Sequence, residues 1–238
     1  MENPFIREQM ALGEPALETL RGAHVAVFGI GGVGSYTAEA LARAGVGSLT
    51  LVDNDTVGLS NINRQLCALH STIGQYKAQV MADRIRDINP ECNVRAICQL
   101  YSEENKALFF DRDYDYIADC IDLVSCKLSL ILNARERQIP ILSALGTGNK
   151  LDPSQFSITD ISKTSGCPLA RVIRKELRAR GIQHHTVLFS PEEPITPIAL
   201  EAPPPGRRSI PASVSWVPSV AGLMIAGRII LDLTKDAR

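Results

Sequence analysis

Short apolar, β-branched runs recur through the first two-thirds of the chain, and each gives way to a segment whose apolar positions return every three or four residues. HVAVFGI, SLTLVD, NVRAIC, DYIADCID and PILSALG read as strands. A segment starting near Gly32, then QYKAQVMADRIRDI, EENKALFF and CKLSLILNARERQ, read as helices. This alternation predicts an α/β, Rossmann-like, doubly wound and mainly parallel sheet with helices on both faces. Nucleotides bind such sheets at the carboxyl ends of the strands.

Past about Asn149 the pattern changes to a short FSITDI strand, a basic amphipathic segment RVIRKELRAR, and HHTVLFS. SPEEPITPIALEAPPPGRRSIPAS is too rich in proline for regular structure and reads as a surface excursion flanking the site. The apolar run Val217 to Leu233 carries Arg228 and Pro218. Its uncharged core is short for a bilayer span, so it is expected to pack as a helix on the core. Residues 1–238 are expected to form one domain, with 150–238 as a C-terminal extension on the substrate side.

At 238 residues, 45% of them hydrophobic, the chain can bury one substantial core. A net charge of −1 means that any nucleic-acid affinity comes from a local patch and not from the overall field. Arg171, Arg174, Lys175 and Arg178 are spaced to form such a patch on one helix face, which Arg207 and Arg208 would extend. The opening MENPFIREQM lacks the pattern of a secretory leader, and the expected location is cytoplasmic. None of the six cysteines forms a CxxC pair, which argues against a zinc clamp or a redox dithiol.

Gly29, Gly31, Gly32 and Gly34 form a strand-to-helix turn of the dinucleotide type, and Asp53 ends the next strand where a ribose hydroxyl would be bound. That much suits NAD. SNINRQ and the later Lys77 do not, because fixed cations suit a departing pyrophosphate better than a hydride. Asp122, in ADCID, stands at a strand end where a carboxylate can hold Mg²⁺ beside phosphates. Asp119, on the strand itself, has no evident role. His184 and His185 read as solvated or structural, and Cys167 as structural.

Together GIGGVGS, VDNDTVGLSNINRQ, HSTIGQYK and Asp122 resemble the adenylating domain of the ubiquitin-activating-enzyme-like family. The resemblance implies ATP and Mg²⁺ as ligands, with Asp53 on the ribose and Asn61, Arg64 and Lys77 on the phosphates. Asp55 and Gln65 belong to the same nucleotide-binding set, and Asp122 is the implied metal ligand. Arg64, Lys77 and Asp122 are the implied catalytic residues. Arg7 is implied to reach the ATP of a second copy in a homodimer. DINPECNV, CPLARVIRKELRARGI and WVPSVAGLMIAGRII extend the likeness to the branch that dehydrates threonylcarbamoyladenosine in tRNA, beside the anticodon. Members of this branch use ATP to cyclise the threonylcarbamoyl group, and a sulfur-relay partner is a further implied contact. The rival readings are an adenylyltransferase acting on the C-terminus of a ubiquitin-like sulfur carrier, an NAD-dependent oxidoreductase, and a nucleotide-sensing scaffold.

Overall fold

The computed structural model describes residues 3–200 and 210–237. Five strands come from the apolar runs: β1 (His24–Phe28), β2 (Ser48–Val52), β3 (Asn93–Ile97), β4 (Tyr116–Asp119) and β5 (Ile141–Ala144). β6 (Ser157–Asp160) and β7 (Thr186–Phe189) complete one sheet, in the order β3-β2-β1-β4-β5-β7-β6. All neighbours are parallel except the edge pair β6 and β7. The sheet is therefore continuous across residue 150, and the C-terminal part adds strands to it.

Both faces of the sheet are covered, which is why its strands read as nearly unbroken apolar runs. Val25, Val27, Leu49 and Leu51 point to one side, under α3 (Gly34–Arg43), α4 (Lys77–Ile88) and α7 (Trp216–Leu233). Ala26, Phe28, Ile117 and Val187 point to the other, under α5 (Val124–Glu136) and α6 (Pro168–Ala179). Two short helices, α1 (Ile6–Leu12) and α2 (Glu14–Gly22), precede β1. The strand order reverses between β1 and β4, so the turns after these strands flank the crevice where such sheets take ligands.

α7 is long and apolar enough to cross a membrane by length and composition. Here it packs on α3, and Gly222 makes that approach possible: a Cβ there would lie 2.3 Å from Val33 O. The Thr37 hydroxyl donates to Gly222 O at 3.1 Å across the same contact.

The expected helix at EENKALFF is not formed; only a single 3₁₀ turn, Lys106–Leu108, appears there. Local side-chain bonds compete with it, since Asn105 Oδ1 accepts from Ser102 N at 2.8 Å and Asn105 Nδ2 donates to Leu100 O at 2.8 Å. Phe109 is drawn into an aromatic cluster with Phe28 and Tyr101 beneath the sheet.

Candidate nucleotide and carboxylate site

Gly29 has a φ of +87°, and a Cβ there would stand 2.7 Å from Cys120 O on the neighbouring turn. Gly34 is equally constrained, because its Cβ would lie 1.8 Å from Gly29 O. Gly31 is different: the nearest atom to its Cβ position would be Gln65 Nε2 at 3.9 Å. No protein atom requires glycine there, so the open face over Gly31 suits backbone approach by a phosphate. Gly32 has a packing reason of its own, with Pro218 of α7 at 3.1 Å and Arg64 O at 3.4 Å from its Cβ position.

Asp53 closes this turn from the end of β2. Its Oδ2 accepts from Ile30 N at 2.6 Å and its Oδ1 from Asp55 N at 2.8 Å. Burial raises its carboxyl above the usual range, while those backbone donors and Lys77 act the other way. The carboxylate is thus fixed in position with lone pairs left for a hydroxyl donor.

Residues 59–67 fold over the turn. Leu66 N donates to Ser35 Oγ at 3.2 Å, and Cys67 Sγ reaches Ile30 O at 3.8 Å. Asn61 Oδ1 accepts from Gly58 N at 3.0 Å, which shapes the turn leading to Arg64. Arg64 is half-buried and donates to Ser60 O at 2.8 Å and Asn63 Oδ1 at 2.9 Å. Burial lowers its pKa, so a bound anion would relieve a desolvated cation. Lys77 opens α4; its side chain is 7% exposed and pairs at 2.9 Å with Asp55, which is 62% exposed. The Lys77 N–H donates to Asp55 O at 3.0 Å, tying the loop to the helix start.

Asp122 is exposed just before α5 and borders an open groove of about 940 Å³ with Leu123, Ser125, Leu128 and Val172. Among the described residues no three His, Cys, Asp or Glu side chains gather as a metal site. One carboxylate beside phosphates nevertheless fits Mg²⁺, which keeps several waters and takes few protein ligands.

Two features escape sequence reasoning. Asp119 and Lys127 form an ion pair at 2.7 Å with both side chains 0% exposed. Asp119 Oδ1 also accepts from Ile121 N at 3.1 Å, so the pair grips the turn that carries Asp122. The available signal was a single lysine within the apolar stretch CKLSLIL, a charge that needs a buried partner. Lys150, also buried, donates to Ser190 O at 3.3 Å and to Glu192 O. Next to it Asn149, at φ +60°, binds Ile195 N through its carbonyl and Ala212 N through its side chain, holding both stems of the proline-rich excursion.

Other expected residues lie elsewhere. Phe5, which leads into α1, packs 3.6 Å from the Cβ position of Gly45, near where β2 begins. Arg7 therefore belongs to a helix near the starting ends of the strands, whereas Lys77 lies past the far end of β2. His185 is not in a solvated loop: it is buried and bonds Ser143 Oγ at 2.8 Å through Nε2. Burial, then Lys127 and Arg135, push its pKa down to about 3. His184 is exposed, 3.2 Å from Asp160. His184 stands at the start of β7, whereas the His185 ring reaches Ser143, the β5 residue in register with Asp119.

The six cysteines are free. Cys67 is pushed up to about 11 and Cys120 to about 12, in each case chiefly by burial. Cys167 is buried, and its Sγ accepts from Ala170 N at 3.5 Å, capping α6. The expected basic stripe is broken, because Arg174 turns inward to donate to Thr164 O at 2.7 Å and Thr164 Oγ1 at 2.6 Å. Val172, on the same helix, is exposed. Arg207 and Arg208 lie outside the described residues.

The profile of the ThiF family matches residues 6–237. The chain is 46% identical over 245 residues to the tRNA threonylcarbamoyladenosine dehydratase of Bacillus subtilis, covering 99% of this chain and 96% of that one. A crystal structure of the Escherichia coli tRNA N6-threonylcarbamoyladenosine dehydratase in complex with ATP is similar with a TM-score of 0.88 and 36% identity, covering 98% of this chain and 94% of that one. The Escherichia coli molybdopterin-synthase adenylyltransferase is 34% identical over 126 residues, about half of each chain.

Proposed function

The chain belongs to the ThiF family, and on that premise we propose that it is an ATP-dependent tRNA threonylcarbamoyladenosine dehydratase. The observation that carries this reading is the pairing of an uncrowded glycine turn with two partly or fully buried cations, Arg64 and Lys77, on a chain similar over nearly its whole length to such dehydratases.

Asp53 would accept the ribose hydroxyls of ATP, and the backbone over Gly31 would face its phosphates. The threonyl carboxylate of the modified nucleoside attacks the α-phosphorus. The bond to the β-phosphate bridging oxygen breaks, and pyrophosphate leaves. Arg64 and Lys77 hold the charge that develops on the departing group, and they need no reorganisation because the fold has already fixed them. Asn61 and Gln65 shape the same loop, and Asp55 releases Lys77 to the phosphates. Mg²⁺, held by Asp122, would supply further neutralisation of phosphate charge. The carbamoyl oxygen then attacks the activated carbonyl, closes a five-membered ring and expels AMP; the carbamoyl nitrogen loses its proton. No protein nucleophile is needed, which agrees with thiols raised by burial. His184, at the start of β7 beside Asp160, and His185, sealed in the interior on Ser143 Oγ, are both poorly placed to be the base for that proton.

The same reading includes a homodimer in the cytoplasm. α1 has no buried residue and exposes Ile6 and Met10, so a second copy is the occupant that would cover it and bring Arg7 to the partner's ATP. The direct test is to incubate the protein with ATP, Mg²⁺ and tRNA bearing threonylcarbamoyladenosine. The expected result is loss of one water's mass from that nucleoside. Pyrophosphate exchange driven by a ubiquitin-like carrier protein, with no change in the tRNA, would overturn the reading.

A further inference from the structure

Many of the surface arginines are neutralised locally. Arg21, Arg43, Arg84, Arg86, Arg95 and Arg228 each meet a carboxylate. Elsewhere among the described residues, Arg7, Arg112, Arg135 and Lys235 are exposed one at a time without an ion pair, and α6 is the element that gathers several such cations. Among the described residues, Arg171, Lys175 and Arg178 are exposed on it and form no ion pair, and neither does exposed Lys163 just before it. The acidic charge of this helix is kept to the other flank, where Glu176 pairs with Arg180 at 2.7 Å beside the groove.

The three cations stand at i, i+4 and i+7, so they share one edge and span about 10 Å of helix. Arg174, which would have crowded the edge, instead anchors α6 to the Thr164 turn. At the far end Arg178 borders a depression of about 390 Å³ with Ser162, Gly181, Gln183 and His184. Its hydroxyl, amide and imidazole side chains can donate hydrogen bonds, and among the described residues no carboxylate lines it, the nearest being Asp160 behind His184 at 3.2 Å. The near end is different: Cys167, the cap of α6, has its Sγ 3.7 Å from the Cβ position of Gly146, just past β5. The edge therefore starts on the side of the sheet where Asp122 stands and leads away from it.

We propose that this edge, Arg171, Lys175 and Arg178 with the depression beyond them, seats the sugar–phosphate backbone of the tRNA substrate; the proposal rests on the reading above that the substrate is an RNA. Protein partners favour aromatic and apolar anchors at the centre of an interface, and this edge has none. The large exposed hydrophobic side chain of α6, Val172, lies on the groove side. Phosphates bound along α6 leave an adjacent nucleotide free to reach over the β5 end towards Asp122.

The test compares wild type with R171Q/K175Q/R178Q and, as a control on the other flank, E176Q/R180Q. Binding of tRNA is followed by fluorescence anisotropy between about 50 and 200 mM salt, the range over which phosphate contacts are lost. Three lost contacts to single-stranded RNA should reduce the slope of log K against log salt by about 2. Affinity at the low-salt end should fall at least tenfold, and KM for modified tRNA should rise while kcat and ATP affinity hold. E176Q/R180Q should keep the wild-type slope. Because the triple variant changes only exposed side chains, an unchanged thermal melt should accompany these effects. Lys175→Glu provides a second reading with a larger affinity loss than Lys175→Gln. An unchanged slope and affinity in the triple variant would overturn the proposal. Failure of wild type to dehydrate modified tRNA would instead overturn the functional reading, since binding is scored without turnover.

Discussion

Two lysines, each near the start of a helix, face an aspartate from the end of a strand or the loop after it, yet the two pairs differ in how far they are closed to water. Lys127 and Asp119 are both sealed from water, at 2.7 Å. Lys77 is nearly sealed, but its partner Asp55 is 62% exposed, at 2.9 Å. Removing one member of a dry pair leaves a charge with neither solvent nor partner, so the Lys127 pair is committed to holding the turn before Asp122. Asp55 can return to water at little cost, so its lysine is available to another anion. Burial of the cation is common to both pairs; exposure of the anion separates a locked pair from one that can release its lysine.

The largest expected effect comes from breaking the dry pair. Lys127→Met should lower unfolding free energy by about 3–5 kcal/mol in urea titrations, and Asp119→Leu added to it should restore much of that loss. A small change would mean that water reaches Asp119 and that the contrast is false. Lys77→Met should leave the urea midpoint near wild type and reduce single-turnover adenylation by about 10²–10³. Equal losses of stability in the two variants would erase the distinction.

The next effect is on pH. His185 has a pKa of about 3 when folded, against 6.5 when free, and it faces Lys127 and Arg135 with only Asp160 in opposition. Between those values the unfolded chain binds a proton that the folded chain refuses, so stability is held above about pH 6.5 and declines as pH falls towards 3. From about pH 7 to about pH 5 the expected loss is about 2 kcal/mol. Calorimetry of His185→Gln should show a flatter profile. The smallest effect belongs to the wet partner: Asp55→Asn should change stability by less than about 1 kcal/mol. A greater loss would make Asp55 as structural as Asp119.

What the sequence reveals follows how local each signal is. β1, the glycine turn and α3 are legible because a buried strand, a left-handed Gly29 and an Ala-rich helix each carry their own pattern within a few residues. The EENKALFF segment misleads because its helical period has to compete with Asn105 bonding its neighbours and with Phe109 sinking beside Phe28. Gly32 is legible as a glycine but not for its cause, since Pro218 arrives from the far end of the chain. Arg174 shows the same limit on α6: helical spacing gives the face on which it starts, and the Thr164 turn decides where its guanidinium goes. Asp119 and Lys127 lie only eight residues apart, yet their pairing depends on how a strand end meets the next helix, and composition alone does not encode that.

The contact of Pro218 and Gly222 with the first turn has a consequence for biosynthesis. On the ribosome Gly29 to Gly34 emerge early, but the surface that backs Gly32 and Val33 is made only when Pro218 and Gly222 have been added. The nascent protein is then expected to acquire nucleotide affinity abruptly once α7 clears the exit tunnel, and not gradually as the strands accumulate.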